Sequence, residues 1–159
     1  MKTLFYLVIL LSTLYSFSQN AETLKNFESI ESNIGAKIHI VKNKTHKIAI
    51  SSAPDTSSFI YWEVENGNLK IRSKTSNLNY ETIEITIYTP SLQVLALSNG
   101  GVITMDEKFS RLQSLVVSAG DRAIVDLSNI EFNTLITTSS DTGEVRYKSV
   151  NTLVRSSKE

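Results

Sequence analysis

The second half of the chain repeats itself, and this repeat restricts the possible folds more than any other feature of the sequence. Leucines share one column of it: Leu95, Leu115, Leu135 and Leu153. The period is about 20 residues, and the last row is shorter by about two. Other residue types keep the same register. Amides recur at Gln93, Gln113, Asn133 and Asn151, hydroxyls at Ser98, Ser118, Thr138 and Ser156, and small or β-branched apolar residues at Ala96, Val116, Ile136 and Val154. Like residues at a fixed period are the signature of stacked structural repeats.

Each row of the repeat has room for two β-strands and a corner. Gly100 and Gly120 occupy the corner column, and a second apolar column follows it at Met105, Val125 and Val145. One such row cannot bury its apolar face alone, but it can do so by stacking on the next row at about 4.8 Å. Rows rich in Ser, Thr and Val leave no helical half, which excludes a leucine-rich repeat. For residues 91–159 we therefore predict a short right-handed parallel β-helix, or β-solenoid, with rows of about 20 residues.

The preceding segment, residues 27–90, has the alternation typical of half-buried strands. Apolar residues at every second position include Ile38 and Ile40, and later Ile85 and Ile87. Asn66-Gly67 lies between two alternating runs, and this pair suits the two positive φ angles of a type I′ hairpin turn. These signals predict antiparallel hairpins that lead into the solenoid. Residues 19–159 are thus predicted to form a single all-β domain.

The segment Met1–Ser18 has the features of an export signal. A basic start at Lys2 is followed by an apolar run of about 11 residues and by small residues at Ser16 and Ser18. This run is too short for a membrane-spanning helix, which needs about 20 residues. Removal of Lys2 with the signal leaves 15 basic and 16 acidic residues, a balance that argues against a nucleic-acid partner. With no cysteine in the chain, the lipoprotein route is excluded as well.

The order of these motifs resembles the putative auto-transporter adhesin, head GIN domain family. The resemblance rests on the hairpin at residues 64–71, on the strand that ends at Pro90 with Leu92 shortly after it, and on Ser98-Asn99-Gly100-Gly101 at the first corner. The chain departs from the family's S-G-x-G corner pattern at all three of its corners. Membership would imply export by a Gram-negative bacterium, to the periplasm or the cell surface, and a role in binding or adhesion.

The sequence offers little catalytic chemistry. It contains two histidines, no thiol and no recognisable catalytic or metal-binding motif, so we predict a non-catalytic protein without a cofactor. The candidate ligand surface consists of two outward aromatic residues, Tyr61 and Tyr88, and of two aspartates that the repeat aligns, Asp121 and Asp141. A second charged column joins Asp106 and Asp126 with Arg146.

Several readings of these residues stay open. The surface could bind a glycan or an envelope protein, and the protein could equally act as a periplasmic scaffold. The Asp121 and Asp141 pair could also hold calcium, because carboxylates are calcium ligands, or serve an enzyme acting on polysaccharide, because glycosidases use a pair of carboxyl groups.

At the end of the chain the last row is incomplete. We expect it either to pair end to end with a second copy or to fray from about Val150 onward.

Overall fold

The computed structural model describes residues 21–52, 57–75, 80–140 and 142–158. The predicted signal peptide and Asp141 lie outside the described residues. Within these ranges the chain forms twelve strands: β1 Glu22–Thr23, β2 Ser29–Ser32, β3 Lys37–Lys42, β4 Lys47–Ser51, β5 Ile60–Glu65, β6 Asn68–Ser73, β7 Glu84–Thr89, β8 Val94–Leu97, β9 Val102–Met105, β10 Leu112–Ala119, β11 Ile124–Ser140 and β12 Glu144–Lys158. Two short 3₁₀ turns occur at Tyr80–Thr82 and Glu107–Phe109.

All twelve strands belong to one curled, mixed sheet with two halves. The front half is the series β5, β6, β2, β8 and β10, continued by the second segments of β11 and β12. The back half is the series β1, β4, β7, β3 and β9, continued by the first segments of the same two long strands. Strand β11 joins the halves, because residues 124–126 pair with β9 and residues 132–139 pair with β10. The chain is therefore all-β, as predicted.

Antiparallel pairing occurs as predicted at the Asn66-Gly67 turn. Strands β5 and β6 pair there, and both turn residues have positive φ angles, 51° and 75°. The prediction of hairpins throughout residues 27–90 is wrong, however. Strands β2 and β6 pair in parallel, and so do β3 and β7. Strands β3 and β4 are neighbours in the chain, but β7 lies between them in the sheet.

The repeat register is confirmed for the later rows and wrong for the first. Leu115 lies opposite Leu135, and Leu135 opposite Leu153, as the leucine column predicts. In contrast, Leu95 lies opposite Val117 and not opposite Leu115, so the first row is longer than predicted. The additional residues are accommodated by the connection between β9 and β10, which contains the turn at Glu107–Phe109 and buries Phe109.

This two-residue shift changes two of the predicted columns. Val125 lies opposite Ile103, not Met105. Asp126 lies opposite Thr104 and Arg146, so Asp106 does not join that charged column. Because side chains along a strand alternate with a period of two, a shift of two residues leaves every side chain on its predicted face. Leu95 is accordingly buried like Leu115 and Leu135, although it does not lie opposite Leu115.

The core lies between the two halves and is built from their inward side chains. Ile38, Ile85 and Val125 contribute from the back half, and Leu69 and Leu135 from the front half, all at most 1% exposed. Burial weakens at the last row. Val145, Tyr147, Val150 and Leu153 pack against the core but are only partly buried. The inward side chains are therefore well covered at most rows and least covered at β12.

Candidate functional site

The outward face of β8, β10 and the second segments of β11 and β12 carries a regular pattern of side chains. One column is apolar and exposed to solvent: Val116 is 40% exposed, Ile136 38% and Val154 50%. Parallel pairing places these three side chains directly opposite one another on successive strands. In the adjoining strand, half-buried Val94 lies opposite Val116 and extends the column.

Hydroxyl groups flank this apolar column on both sides. Two positions before it in each strand stand Ser114, Thr134 and Thr152, and two positions after it stand Ser118, Thr138 and Ser156. We use the name hydroxyl–aliphatic array for these six hydroxyl-bearing residues together with the aliphatic residues Val94, Ala96, Val116, Ile136 and Val154. Rows of the array are spaced by the strand separation of about 4.8 Å. It contains neither a charged nor an aromatic side chain, so its chemistry is limited to hydroxyl hydrogen bonding and contact with methyl groups.

An amide ladder borders the array where the strands enter it. Gln113, Asn133 and Asn151 are exposed on successive rows, and the Asn151 Nδ2 donates to the Asn133 Oδ1 at 3.2 Å. These amides line a groove of about 350 Å³ together with Arg111 and Glu131. The Lys148 Nζ donates to the Glu131 Oε1 at 3.0 Å, and this hydrogen bond lowers the pKa of the Glu131 carboxyl. The groove thus offers exposed amide groups next to a carboxylate that is already paired.

Beyond β8, the same outward face changes to charged residues. Arg72 on β6 donates to Glu31 on β2, and Lys70 forms an ion pair with Glu65 across the β5–β6 hairpin. The hydrogen bond from Arg72 is the main reason that the pKa of the Glu31 carboxyl is lowered. These paired charges mark one boundary of the array, because Glu31 lies directly opposite Ala96.

The outward face of the back half is polar, and most of the polar side chains described below bind one another. The His39 Nδ1 lies 2.8 Å from the Thr104 Oγ1. Asp126 accepts hydrogen bonds from the Ser128 hydroxyl and backbone N–H, which lower the pKa of its carboxyl. Arg146 binds Glu144 through two nitrogens at 2.8 Å. No group of three or more metal-binding side chains occurs in the ranges that the structure describes.

The structure describes three of the four residues of the predicted ligand surface, and these three do not form one surface. Tyr61 lies on β5 and is 41% exposed on the front half. Tyr88 lies on β7, in the back half, where it faces outward on the opposite side of the molecule. Asp121 is an exposed corner residue between β10 and β11 with a φ of 50°, and its backbone carbonyl accepts from the Gly100 N–H at 2.8 Å. Since Asp141 is not described, the proposed pair stays a prediction.

The sequence analysis identified most columns of the array but assigned no ligand to them. It placed the ligand surface on exposed aromatic residues, whereas the most regular exposed surface has none. The feature that was overlooked is an absence of charge. No charged residue occupies the outward positions of four segments, although 20% of the chain is charged: residues 94–96, 114–118, 134–138 and 152–156. That pattern becomes visible only when the outward positions of neighbouring strands are grouped.

Comparison with known proteins gives a consistent picture of family and fold. The family model described as "Putative auto-transporter adhesin, head GIN domain" matches residues 26–153. No curated protein matches the sequence at a significant level. In the part of the chain that the structure describes, no helix has the length and apolar character needed to cross a membrane.

Several crystal structures share the fold. A putative lipid binding protein from Parabacteroides distasonis matches with a TM-score of 0.68 and 17% identity, over 88% of this chain and 63% of that one. A putative adhesin from Bacteroides fragilis matches with a TM-score of 0.59 and 13% identity, over 86% and 95% of the two chains. A putative adhesin from Parabacteroides merdae matches with a TM-score of 0.68 and 14% identity, over 84% and 57%. This chain therefore spans less than two thirds of two of these neighbours.

Proposed function

Because this chain belongs to the putative auto-transporter adhesin, head GIN domain family, we propose that it is an exported, non-catalytic binding domain of the cell envelope. Its signal peptide directs it to the periplasm or the surface of a Gram-negative bacterium. Its rows form a short right-handed parallel β-helix, whose stacking presents the hydroxyl–aliphatic array. The observation that carries this proposal is the regular, charge-free array on an otherwise charged surface.

The ligand class that fits the array best is an extended, uncharged glycan. A sugar ring has an apolar C–H face and a rim of hydroxyl groups. Val116, Ile136 and Val154 can contact the apolar face, while the flanking hydroxyl columns and the amide ladder exchange hydrogen bonds with the rim. A carboxylate or phosphate would normally be met by Arg or Lys, and the array has neither. A repeating polymer also matches a surface that repeats every strand.

The charged residues support binding over catalysis. A glycosidase needs one carboxylic acid whose pKa is raised, so that it can donate a proton. Among the described residues, the carboxyl groups with a displaced pKa are all displaced downward, each by a hydrogen-bonded partner: Glu31, Glu65, Asp126, Glu131 and Glu144. Groups held in the charged form by such partners are poor proton donors.

A binding assay with a matched pair of variants tests this proposal. The purified protein is titrated with soluble neutral polysaccharides, with an anionic polysaccharide and with phospholipid vesicles. Ile136→Lys places a charge in the centre of the array, and Ile124→Lys places the same charge outward on the same strand but in the back half. We expect neutral polysaccharide to bind the wild type and Ile124→Lys, and Ile136→Lys to lose at least about tenfold in affinity.

Other results would point elsewhere. Preferential binding to vesicles would favour the lipid binding named for the Parabacteroides distasonis neighbour. Capture of an envelope protein with no glycan affinity would favour the scaffold reading. Release of new reducing ends from a polysaccharide, abolished by a carboxylate-to-amide change, would show that the protein is an enzyme.

A further inference from the structure

Strand β5 forms the edge of the front half at the end away from β12. It is an internal strand that pairs with β6 on one side, and on its other side no strand lies against it among the described residues. The pairing with β6 runs over six residues without a bulge. Strand β5 also contains no lysine and no proline, two residues that commonly protect exposed edges from further pairing. The fold therefore leaves a regular length of strand backbone uncovered.

Alternate residues of β5 direct their backbone groups toward the open side. The pair that flanks the two-residue hairpin turn exchanges both backbone hydrogen bonds, and such pairs recur at every second position along an antiparallel ladder. In step with this alternation, the Phe59 carbonyl accepts from the Lys74 N–H at 2.9 Å. Ile60, Trp62 and Val64 therefore turn their N–H and C=O groups away from β6. These groups have no hydrogen-bond partner within the described part of the chain.

The side chains beside this edge are aromatic or aliphatic on both faces of the sheet. Trp62 and Val64 face inward and pack against the core, yet both are only partly buried. Phe59, just before the strand, is 42% exposed, and Tyr61 on the outward face is 41% exposed. The other large hydrophobic side chains that the described residues expose to this degree all belong to the hydroxyl–aliphatic array. A strand added at this edge would cover Trp62 and Val64 and contact Tyr61.

We propose that the β5 edge binds an extended peptide segment of another protein, which joins the sheet as one further antiparallel strand. In this mode of recognition the backbone hydrogen bonds supply affinity, and the side chains at alternate positions supply specificity. Residues of the peptide opposite Ile60, Trp62 and Val64 face inward, because directly opposite residues of two paired strands point to the same face. These positions require apolar side chains, and their N–H and C=O groups exchange hydrogen bonds with the free groups of β5.

The charge of the edge selects the outward residues of the peptide. Lys70 binds Glu65, and Arg72 binds Glu31, so both cations of β6 are already paired. Glu63 is exposed opposite Lys70, but no ion pair to it occurs in the ranges that the structure describes. A lysine or arginine of the peptide directly opposite Glu63 would pair with it, whereas an acidic residue would be repelled. The ligand is therefore a segment that alternates apolar and basic residues.

A second copy of this chain fits the edge less well than a peptide. Six residues at about 3.3 Å each give an edge of roughly 20 Å, and with a sheet thickness of about 10 Å each copy would bury only about 200 Å². Two folded domains need a total of about 1,000 Å² for a specific contact, well above what two such edges provide. The β5 strand of a second copy also has no basic residue to place opposite Glu63. A flexible peptide can in addition wrap over Tyr61 and Phe59.

Titration with synthetic peptides tests the proposal. The probe is a peptide that alternates valine and lysine, and the matched control alternates valine and glutamate. Calorimetry measures the affinity, and the fluorescence of Trp62, the single tryptophan of the chain, reports binding at the edge. We expect the valine–lysine peptide to bind with a Kd of about 10–100 µM and to change this fluorescence. The valine–glutamate peptide should bind at least about tenfold more weakly.

Two N-methylated forms of the valine–lysine peptide test strand addition itself. Methylation of a central valine removes an N–H that points toward β5, and methylation of the adjacent lysine removes one that points away. The first change should weaken binding by at least about tenfold, and the second should leave the affinity within about twofold. Binding through side chains alone predicts equal effects of the two changes.

Substitutions in the protein test the charge selection. Glu63→Lys should reverse the preference, so that the valine–glutamate peptide binds better than the valine–lysine peptide. Glu84→Lys makes the same change at an exposed residue of β7, in the back half, and should leave the preference unchanged. Ile136→Lys should bind both peptides like the wild type while it loses neutral polysaccharide, which separates this proposal from the glycan proposal. Far-ultraviolet circular dichroism verifies that the three variants are folded.

Several results would overturn the proposal. One is a wild type that does not bind the valine–lysine peptide, and another is N-methylation of lysine weakening binding as much as that of valine. An unchanged preference in folded Glu63→Lys would show that this residue does not select the ligand. Displacement of the peptide by a neutral polysaccharide would show that the aromatic residues of the edge bind sugar. Dissociation of a wild-type dimer by the peptide, seen in sedimentation analysis, would assign the edge to a second copy.

Discussion

Leucine-to-alanine substitutions in one column of the repeat should reveal how well each row is covered. Leu115 is 1% exposed, Leu135 is fully buried, and Leu153 is only partly buried. All three changes remove the same atoms, so their costs differ only through burial and through the cavity that each one leaves. A fully buried leucine replaced by alanine costs about 3 to 5 kcal/mol, and the half-covered Leu153 should cost about half as much.

Urea denaturation at a dilution that keeps the protein monomeric measures these free energies of unfolding, and thermal unfolding of the same samples gives Tm. For a domain of this size, a change of 1 kcal/mol in the free energy of unfolding corresponds to roughly 2–4 °C in Tm. Leu115→Ala and Leu135→Ala should therefore lower Tm by about 10 °C, and Leu153→Ala by about 5 °C. Ile136→Ala, next to Leu135 but facing outward, is the control and should cost about 1 kcal/mol. Equal losses at Leu135 and Leu153 in a demonstrably monomeric sample would refute the graded cover that the structure shows.

Three further outcomes are expected. Gly143→Ala should destabilise the protein by about 3 kcal/mol in urea denaturation, because a Cβ there would lie 2.2 Å from a backbone oxygen; Gly67→Ala has open space around it and should cost only about 1 kcal/mol for its φ of 75°. The lowered pKa of Glu31 means that its pairing with Arg72 stabilises the fold above the ordinary glutamate pKa and is lost as pH falls through the lowered value. Arg72→Gln should thus be less stable than wild type at pH 7 by urea midpoints, and this gap should close as the pH falls below the lowered pKa of Glu31. A stability gap that persists at the lowest pH at which the protein stays folded would contradict this. Mass spectrometry of the exported protein should find Gln19 at its start, and a chain still carrying the signal would disprove the predicted cleavage.

The face that each side chain presents could be read from the sequence. Alternation with a period of two follows directly from strand geometry, and the repeat extends it across rows. This is why the buried leucine column was identified correctly. The column of Val116 and Ile136 was identified as apolar, but its exposure to solvent became known only from the structure. The hairpin at Asn66-Gly67 was equally predictable, because its positive φ angles depend on two adjacent residues alone.

Strand partners, in contrast, were decided by the tertiary structure. Hairpins were predicted throughout residues 27–90, yet β7 lies between β3 and β4, which are neighbours in the chain, and pairs with both. The first row is longer than predicted because burial of Phe109 favours an added turn. Pairing depends on which distant segments meet, and the alternation of side chains does not encode that choice, since any shift of two residues preserves it.

The candidate surface shows the same division. The sequence by itself determined that the columns at 116 and 136 are apolar and that their neighbours carry hydroxyls. Only the fold decided that these columns lie side by side on one uncharged face. Tyr88 lies on the opposite side of the molecule, and Tyr61 lies among the charged residues of β5 and β6, opposite Arg72. A surface is shared by residues far apart in the chain, so its composition is known only once strand order is fixed by the burial of a common core.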